Sequence, residues 1–148
     1  MPTTAKNFFT AEQQEEILQA VRNAELDTSG EIRVHIETKS KGDILDNAAF
    51  IFKKLGMHKT ALRNGVLIYL SIQNRSFAII GDSGINAVVP DNFWESTKLL
   101  MINQFREGRF CEGLIEGITQ AGLQLKKHFP HQAADKNELS DELSFGNN

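Results

Sequence analysis

Several absences narrow what this chain can be. One cysteine, Cys111, in 148 residues excludes an intramolecular disulfide and any zinc or iron–sulfur site built from several cysteines. No apolar run approaches the roughly 20 residues that cross a bilayer, and the N-terminus lacks the apolar segment of a signal peptide. No stretch of basic residues with interleaved aromatic residues is present, which argues against nucleic-acid binding. We therefore expect a cytoplasmic protein without membrane insertion. We also expect a monomer, although no motif encodes the oligomeric state.

The 41% of apolar residues fits one globular domain, which we assign to residues 1–132. Residues 133–148 form an acidic tail that carries the whole formal net charge of −3, so residues 1–132 are formally neutral. This composition favours a flexible, solvated end. The alternative is a docking segment that engages an unknown protein partner through Leu139, Leu143 and Phe145.

The apolar pattern predicts helices and strands in alternation. A capping box of Thr10 and Gln13 predicts the start of a helix. Alternation of apolar and polar residues over 31–37 indicates a strand near a sheet edge, with His35 on its wetter face. The apolar run from Val66 to Leu70 predicts a strand that is buried on both faces. The polar turn after it predicts an antiparallel hairpin. The predicted helices are Ala11 to Ala24, a segment between Gly42 and Gly56, Asp91 (as N-cap) to Glu107, and Cys111 to Lys127; the third strand is Phe77 to Ile80.

A strand, a helix and a buried strand make a right-handed βαβ unit, so the first two strands should be parallel. Adding the hairpin gives an α/β fold: an α/β/α sandwich with a small mixed β-sheet and helices on both faces. In this topology the starts of the first and second strands meet the end of the third. That edge gathers the acidic residues Asp27, Glu31 and Asp82, with Asp91 nearby, whereas the opposite edge holds Lys39 and Lys41.

Carboxylates among glycine-bearing loops suit a hard cation such as calcium, or magnesium, which takes oxygen ligands. We predict a divalent-cation site formed by Asp82, Glu31, Asp91 and Asp27. Other roles stay open: Asp91 as a helix cap, Glu31 as a solvent-facing strand residue, and Arg63 as the ion-pair partner of Asp82. An occupied pair of Arg63 and Asp82 would defeat the cation interpretation. No histidine pair has zinc-site spacing.

The series Thr28-Ser-Gly-Glu-Ile-Arg-Val, Arg63-Asn-Gly-Val-Leu-Ile-Tyr-Leu, Ile80-Gly-Asp-Ser-Gly-Ile and Val89-Pro-Asp resembles the TPM domain family. That family is named after a thylakoid lumen protein, a photosystem II repair factor and a nematode receptor modulator. The resemblance covers about residues 8–129 and implies an α/β/α domain, cation binding in some members and acid phosphatase activity in plant members. Many members carry an acidic pair where this chain has Asn74-Arg75, so we expect no catalytic carboxylate at that turn.

Three functions are compatible with these observations. The first is a cation-binding module acting as an adaptor, the second is a weak metal-dependent acid phosphatase, and the third is a protein-interaction domain in which metal has no role. Ser83, in Gly-Asp-Ser-Gly, lacks the Gly-x-Ser-x-Gly pattern of a nucleophile elbow. We expect Cys111 to be a small buried core residue rather than a reactive thiol.

Overall fold

The structure, a computed structural model, describes residues 3–130 and 142–146. In these residues the strands are β1 (Glu31–Glu37), β2 (Gly65–Ser71), β3 (Ser76–Gly81) and β4 (Ser144–Phe145). The helices are α1 (Ala11–Glu25), α2 (Ile44–Lys54), α3 (Ser83–Asn86), α4 (Glu95–Arg106) and α5 (Phe110–His128), with a 3-10 helix at Met57–Lys59. No helix of the described residues is long and apolar enough to cross a membrane.

Helix α1 begins with the predicted capping box. The Thr10 hydroxyl accepts from the backbone N–H of Gln13 at 3.1 Å, and the Gln13 side-chain oxygen accepts from the N–H of Thr10 at 3.0 Å. A cap of this kind stabilises a helix by about 1 kcal/mol, because it gives partners to N–H groups that the helix leaves unbonded. One turn apart, Ile17 and Val21 are buried, which fixes the face of α1 that meets the core.

The sheet has the strand order β3-β2-β1-β4. Strands β1 and β2 run parallel with Glu31 opposite Gly65, and β3 returns antiparallel to β2 with Gly81 opposite Val66. Helix α2 lies between β1 and β2 in the chain, and its N-cap Asp43 accepts from the N–H groups of Leu45 and Asp46. The predicted parallel pair, hairpin and mixed sheet are therefore confirmed.

The sheet is covered on both faces, which confirms the α/β/α sandwich. Helices α1 and α5 pack on one face with α4 against α5, and α2 packs on the other. Alternate residues of β1 enter the larger core, whereas Leu67 and Tyr69 of β2 face α2. Burying one aliphatic side chain contributes about 1.5–3 kcal/mol, so these two apolar layers supply most of the stability. The buried residues of the larger core include Ile17, Ile32, Val34, Ile36, Leu114 and Ile118.

Strand β4 was not predicted, and it changes the position of β1. Ser144 and Phe145 pair parallel with His35 and Ile36, so β1 lies between two strands rather than near an edge. Leu143 and Phe145 pack against the larger core. We call residues 142–146 the C-terminal strap. The predicted domain boundary at 132 and Leu139 of the proposed docking segment lie outside the described residues.

The expected role of Asp91 as a helix cap is wrong. Helix α4 begins at Glu95, and its N-cap, Trp94, makes no side-chain capping bond. Backbone bonds from Phe93 to Pro90 and from Glu95 to Asn92, 3.0 and 3.1 Å long, form a turn before the helix. The acidic N-cap in this region is Asp82, which opens α3. A four-residue helix is too short for a periodic apolar pattern to reveal.

Candidate functional site

The starts of β1 and β2 and the end of β3 form one row at the edge of the sheet. The N–H of Asp82 donates to the carbonyl of Gly65 at 3.0 Å, and Gly65 is opposite Glu31. Residues at equivalent positions of neighbouring strands project to the same face. The side chains of Glu31 and Asp82 therefore stand on the face that carries α2, on either side of a residue without a side chain. We call this arrangement the acidic edge.

Asp82 forms a bidentate ion pair with Arg63. The Nε and Nη2 atoms of Arg63 donate to the two carboxylate oxygens at 2.8 and 2.9 Å, and the N–H of Ser83 donates to Oδ1 at 2.7 Å. The Asp82 side chain is 5% exposed and that of Arg63 is 48% exposed. These hydrogen bonds raise the pKa of Arg63. The carboxylate is thus buried and neutralised, while its partner remains in contact with solvent.

Backbone geometry holds this pair in place. Arg63 has a φ of +52°, a conformation that few non-glycine residues adopt, and its carbonyl accepts from the N–H of Gly84 at 2.8 Å. A Cβ on Gly84 would lie 2.0 Å from the carbonyl oxygen of Leu62 and 2.6 Å from that of Arg63. The two loops approach this closely only because residue 84 is glycine.

Glu31 is buried at the start of β1, with 3% of its surface exposed. Its N–H donates to the carbonyl of Asn64 at 3.3 Å, and the Asn64 side chain donates to the hydroxyl of Ser29 at 3.3 Å. Thr28 hydrogen-bonds through its hydroxyl to the carbonyl of Phe129 and accepts from the N–H of Gly30. The loop before β1 is therefore tied both to β2 and to the end of α5.

The other two predicted ligands occupy exposed positions. Asp27 lies 3.7 Å from the ammonium group of Lys126, and both side chains are more than half exposed. Asp91 is exposed in the turn before α4, beside a cavity of about 260 Å³ that Pro90 and Trp94 also line. Among residues 3–130 and 142–146, no group of three or more His, Cys, Asp or Glu side chains is placed to hold a metal ion.

A second polar site, which the sequence pattern did not indicate, lies toward the other end of the sheet. It is a pocket of about 350 Å³ between β1, α2 and the C-terminal strap. His35, Ser40 and Tyr69 form its buried floor, and Lys39, Lys41 and Lys54 line it. We call it the lysine pocket. The sequence places Lys39 and Lys41 together at this edge of the sheet. No local sequence pattern indicates that Tyr69 and Lys54 lie beside them.

His35 contacts three other side chains in and beside this pocket. Its ring lies 5.3 Å from that of Tyr69 at an interplanar angle of 21°. Its Nδ1 is 2.9 Å from the hydroxyl of Ser144, and its Nε2 is 3.0 Å from a carboxylate oxygen of Glu37. Burial lowers the pKa of His35 despite the hydrogen bond to Glu37. The wetter face predicted for His35 is in fact covered, because the strap packs beside it.

The largest of the cavities described here, about 770 Å³, lies at the β2–β3 turn next to the junction of α4 and α5. Phe8, Phe105 and Phe110 form its aromatic wall, and Arg75 and Arg106 line it. Phe105 stacks on Phe110, and Phe8 meets Phe110 edge to face. The three rings thus pack against one another. We therefore interpret the aromatic lining as part of the core between α4 and α5.

Comparisons with known proteins agree with the fold. The family model described as "TPM domain" matches residues 3–124. The NMR structure of BA42 protein from the psychrophilic bacterium Bizionia argentinensis superimposes with a TM-score of 0.90 at 46% identity, covering 95% of this chain and 97% of that one. No curated protein matches the chain.

Two more distant solution structures share the fold alone. The N-terminal domain of a protein from P. gingivalis has a TM-score of 0.68 at 21% identity, covering 85% of this chain and 83% of that one. The N-terminal domain of cg2496 protein from Corynebacterium glutamicum has a TM-score of 0.65 at 10% identity, covering 88% and 82%.

Proposed function

The chain belongs to the TPM domain family, and from this premise we propose that it is a binding module that takes up a divalent cation, calcium or magnesium, at the acidic edge. The observation that carries the proposal is the placement of two buried carboxylates, Glu31 and Asp82, on one face with only Gly65 between them. Two strand spacings separate their backbones by about 9.5 Å. Side chains that extend toward each other across this gap can share one cation.

The guanidinium of Arg63 supplies a positive charge that neutralises the carboxylate of Asp82. A buried carboxylate without a counter-ion is strongly disfavoured, and Arg63 occupies both oxygens of Asp82. A cation can therefore bind the Asp82 carboxylate only by displacing Arg63. The half-exposed Arg63 side chain can move into solvent, whereas the carboxylate is fixed by the N–H of Ser83. Competition of this kind weakens metal affinity, and we expect millimolar binding, the weak end of the calcium range.

Two carboxylates are few for calcium, which takes six to eight oxygen ligands. Water would have to supply most of the others, because the carbonyl oxygens of Arg63, Asn64 and Gly65 already accept hydrogen bonds from the N–H groups of Gly84, Glu31 and Asp82. Asp27 and Asp91 enter the proposal as outer carboxylates, because both are exposed and would reach a cation only after loop movement. Magnesium requires a tighter octahedral shell, so we expect an edge with only two buried carboxylates, on different strands, to favour calcium.

The proposal is tested by a calcium titration followed through backbone amide shifts, with magnesium for comparison. Saturable shifts should centre on Gly30, Glu31 and residues 81–84. Asp82→Asn should abolish them, and Arg63→Gln should tighten binding because the competing charge is gone. Asp46→Asn, which removes an exposed carboxylate at the opposite edge, is the matched control. Absence of saturable shifts in both the parent protein and Arg63→Gln would exclude the site.

The same variants test the phosphatase alternative. If hydrolysis also takes place at the acidic edge, metal-dependent cleavage of an aryl phosphate should disappear in Asp82→Asn and persist in Asp46→Asn. Activity that is unchanged in Asp82→Asn would place any catalysis elsewhere.

A further inference from the structure

We infer that the lysine pocket is a binding site for a small organic anion that combines a carboxylate or phosphate group with a flat apolar group. The site lies toward the opposite end of β1 from the acidic edge and does not depend on the proposed cation function. Its volume of about 350 Å³ is at the lower end of the range for small-molecule sites. A single ring with one acidic substituent is the size of ligand that it admits.

The charge of the pocket favours an anion. Lys39, Lys41 and Lys54 line it, and among the described residues none of the three takes part in an ion pair. Glu37 is the carboxylate that lines the same pocket, and it already contacts His35. The pocket is therefore positive in a protein whose formal net charge is −3. Such a local field attracts anions and raises their rate of association.

Hydrogen bonding at the floor gives a second reason. The hydroxyls of Ser40 and Tyr69 bond to each other, and this bond uses one of their two protons. Neither hydroxyl has another hydrogen-bond partner in the described part of the chain, so one O–H proton still requires an acceptor. Both residues are more than nine-tenths buried and line the pocket. An anionic oxygen there would accept that proton.

The apolar wall indicates the rest of the ligand. Phe50 of α2 is 65% exposed, although it stands in the same pocket as Ile51 and Phe145. Leaving an aromatic side chain in water forgoes the favourable burial of its surface. A ligand whose flat apolar group packs against Phe50 would cover that surface. Its acidic group could then face the lysines on the charged side of the pocket.

The C-terminal strap shapes this site. The N–H of Gly146 donates to the carbonyl of Ile36 at 2.8 Å, and Nε of Arg33 donates to the carbonyl of Glu142 at 3.2 Å. A Cβ on Gly146 would lie 1.7 Å from a carboxylate oxygen of Glu37. The strap thus packs against the Glu37 carboxylate, which contacts His35, and no lysine of the pocket forms an ion pair with Glu37 among the described residues.

The test is an amide-shift titration with four probes: benzoate, phenyl phosphate, inorganic phosphate and neutral benzyl alcohol. Benzoate and phenyl phosphate should give saturable shifts at Ser40, Lys54 and Tyr69, inorganic phosphate should bind more weakly, and benzyl alcohol should give none. Lys54→Gln should weaken both organic anions by up to about fivefold, the effect of one exposed charge pair. Phe50→Ala should weaken the organic anions but not inorganic phosphate.

The matched control is Lys127→Gln, which removes an exposed lysine from α5 and should change no affinity. Absence of saturable shifts with both organic anions at millimolar concentration would overturn the inference. So would equal affinity for benzyl alcohol, or binding that Lys54→Gln leaves unchanged. Because Asp82→Asn leaves this pocket intact, anion binding should persist in that variant, which separates the outcome here from that of the cation proposal.

Discussion

Replacing Gly84 with alanine should destabilise the protein by far more than a methyl group normally does. The new Cβ would lie 2.0 Å and 2.6 Å from two carbonyl oxygens of the loop before β2, and backbone atoms cannot rotate away as a side-chain tip can. Overpacking of this kind costs about 1–3 kcal/mol. Separating the loops also weakens the 2.8 Å bond from the Gly84 N–H to Arg63, which adds about 1 kcal/mol. We expect a loss of about 2–4 kcal/mol.

Urea unfolding followed by circular dichroism measures this loss, and Tm should fall by about 6–12 °C in a chain of this size. The control is Gly81→Ala at the end of the neighbouring strand β3, whose Cβ would meet Ile85 and Trp94 at an ordinary 3.5 Å. That variant should remain within about 1 kcal/mol of the parent protein. Equal stability of the two variants would refute the argument that glycine is needed at 84 for the close approach of the loops.

Three further predictions concern other parts of the molecule. Burial lowers the pKa of His35 below 6.5, so as pH falls below that value the unfolded state takes up a proton that the folded state does not. The free energy of unfolding should therefore fall by up to about 1.4 kcal/mol per pH unit. In urea titrations at several pH values, His35→Asn should reduce this dependence of the free energy of unfolding on pH. Burial raises the pKa of Cys111 to about 11, so at pH 8 a thiol reagent should label the folded protein far more slowly than the unfolded protein; equal rates would contradict the burial. Phe145→Ala should lower the free energy of unfolding by about 1–2 kcal/mol, because Phe145 is partly buried against the core; an unchanged urea midpoint would mean that the strap adds no stability.

The elements that the sequence predicted well are those whose determinants are local. The two residues of the capping box, Thr10 and Gln13, lie within one helical turn, and the buried run of β2 is one continuous segment. The helix and the strand that they predicted extend only slightly beyond the predicted bounds. The parallel pairing of β1 with β2 followed from the helix between them. From that pairing together with the hairpin of β2 and β3, the convergence of Glu31 and Asp82 at one edge could be deduced before any side chain was placed.

The features that the sequence did not predict depend on distant partners. Strand β4 has two residues and pairs with a strand more than a hundred positions earlier, so neither its length nor its pattern could reveal it. Asp91 is a residue type that often caps helices, but the backbone from Pro90 onward forms a hydrogen-bonded turn. Helix α4 therefore begins only at Glu95. The lysine pocket joins β1, α2 and the strap, and local periodicity carries no information on such a combination.

The ion pair at the acidic edge links the stability of the domain to its proposed cation binding. Arg63 neutralises a buried carboxylate, so removing Arg63 should lower stability and raise calcium affinity in the same variant. A ligand that binds only the folded state stabilises it in proportion to the logarithm of its free concentration over Kd. Calcium should therefore restore more stability to Arg63→Gln than it adds to the parent protein. If the pair is purely structural, calcium will leave the stability difference between the two proteins unchanged.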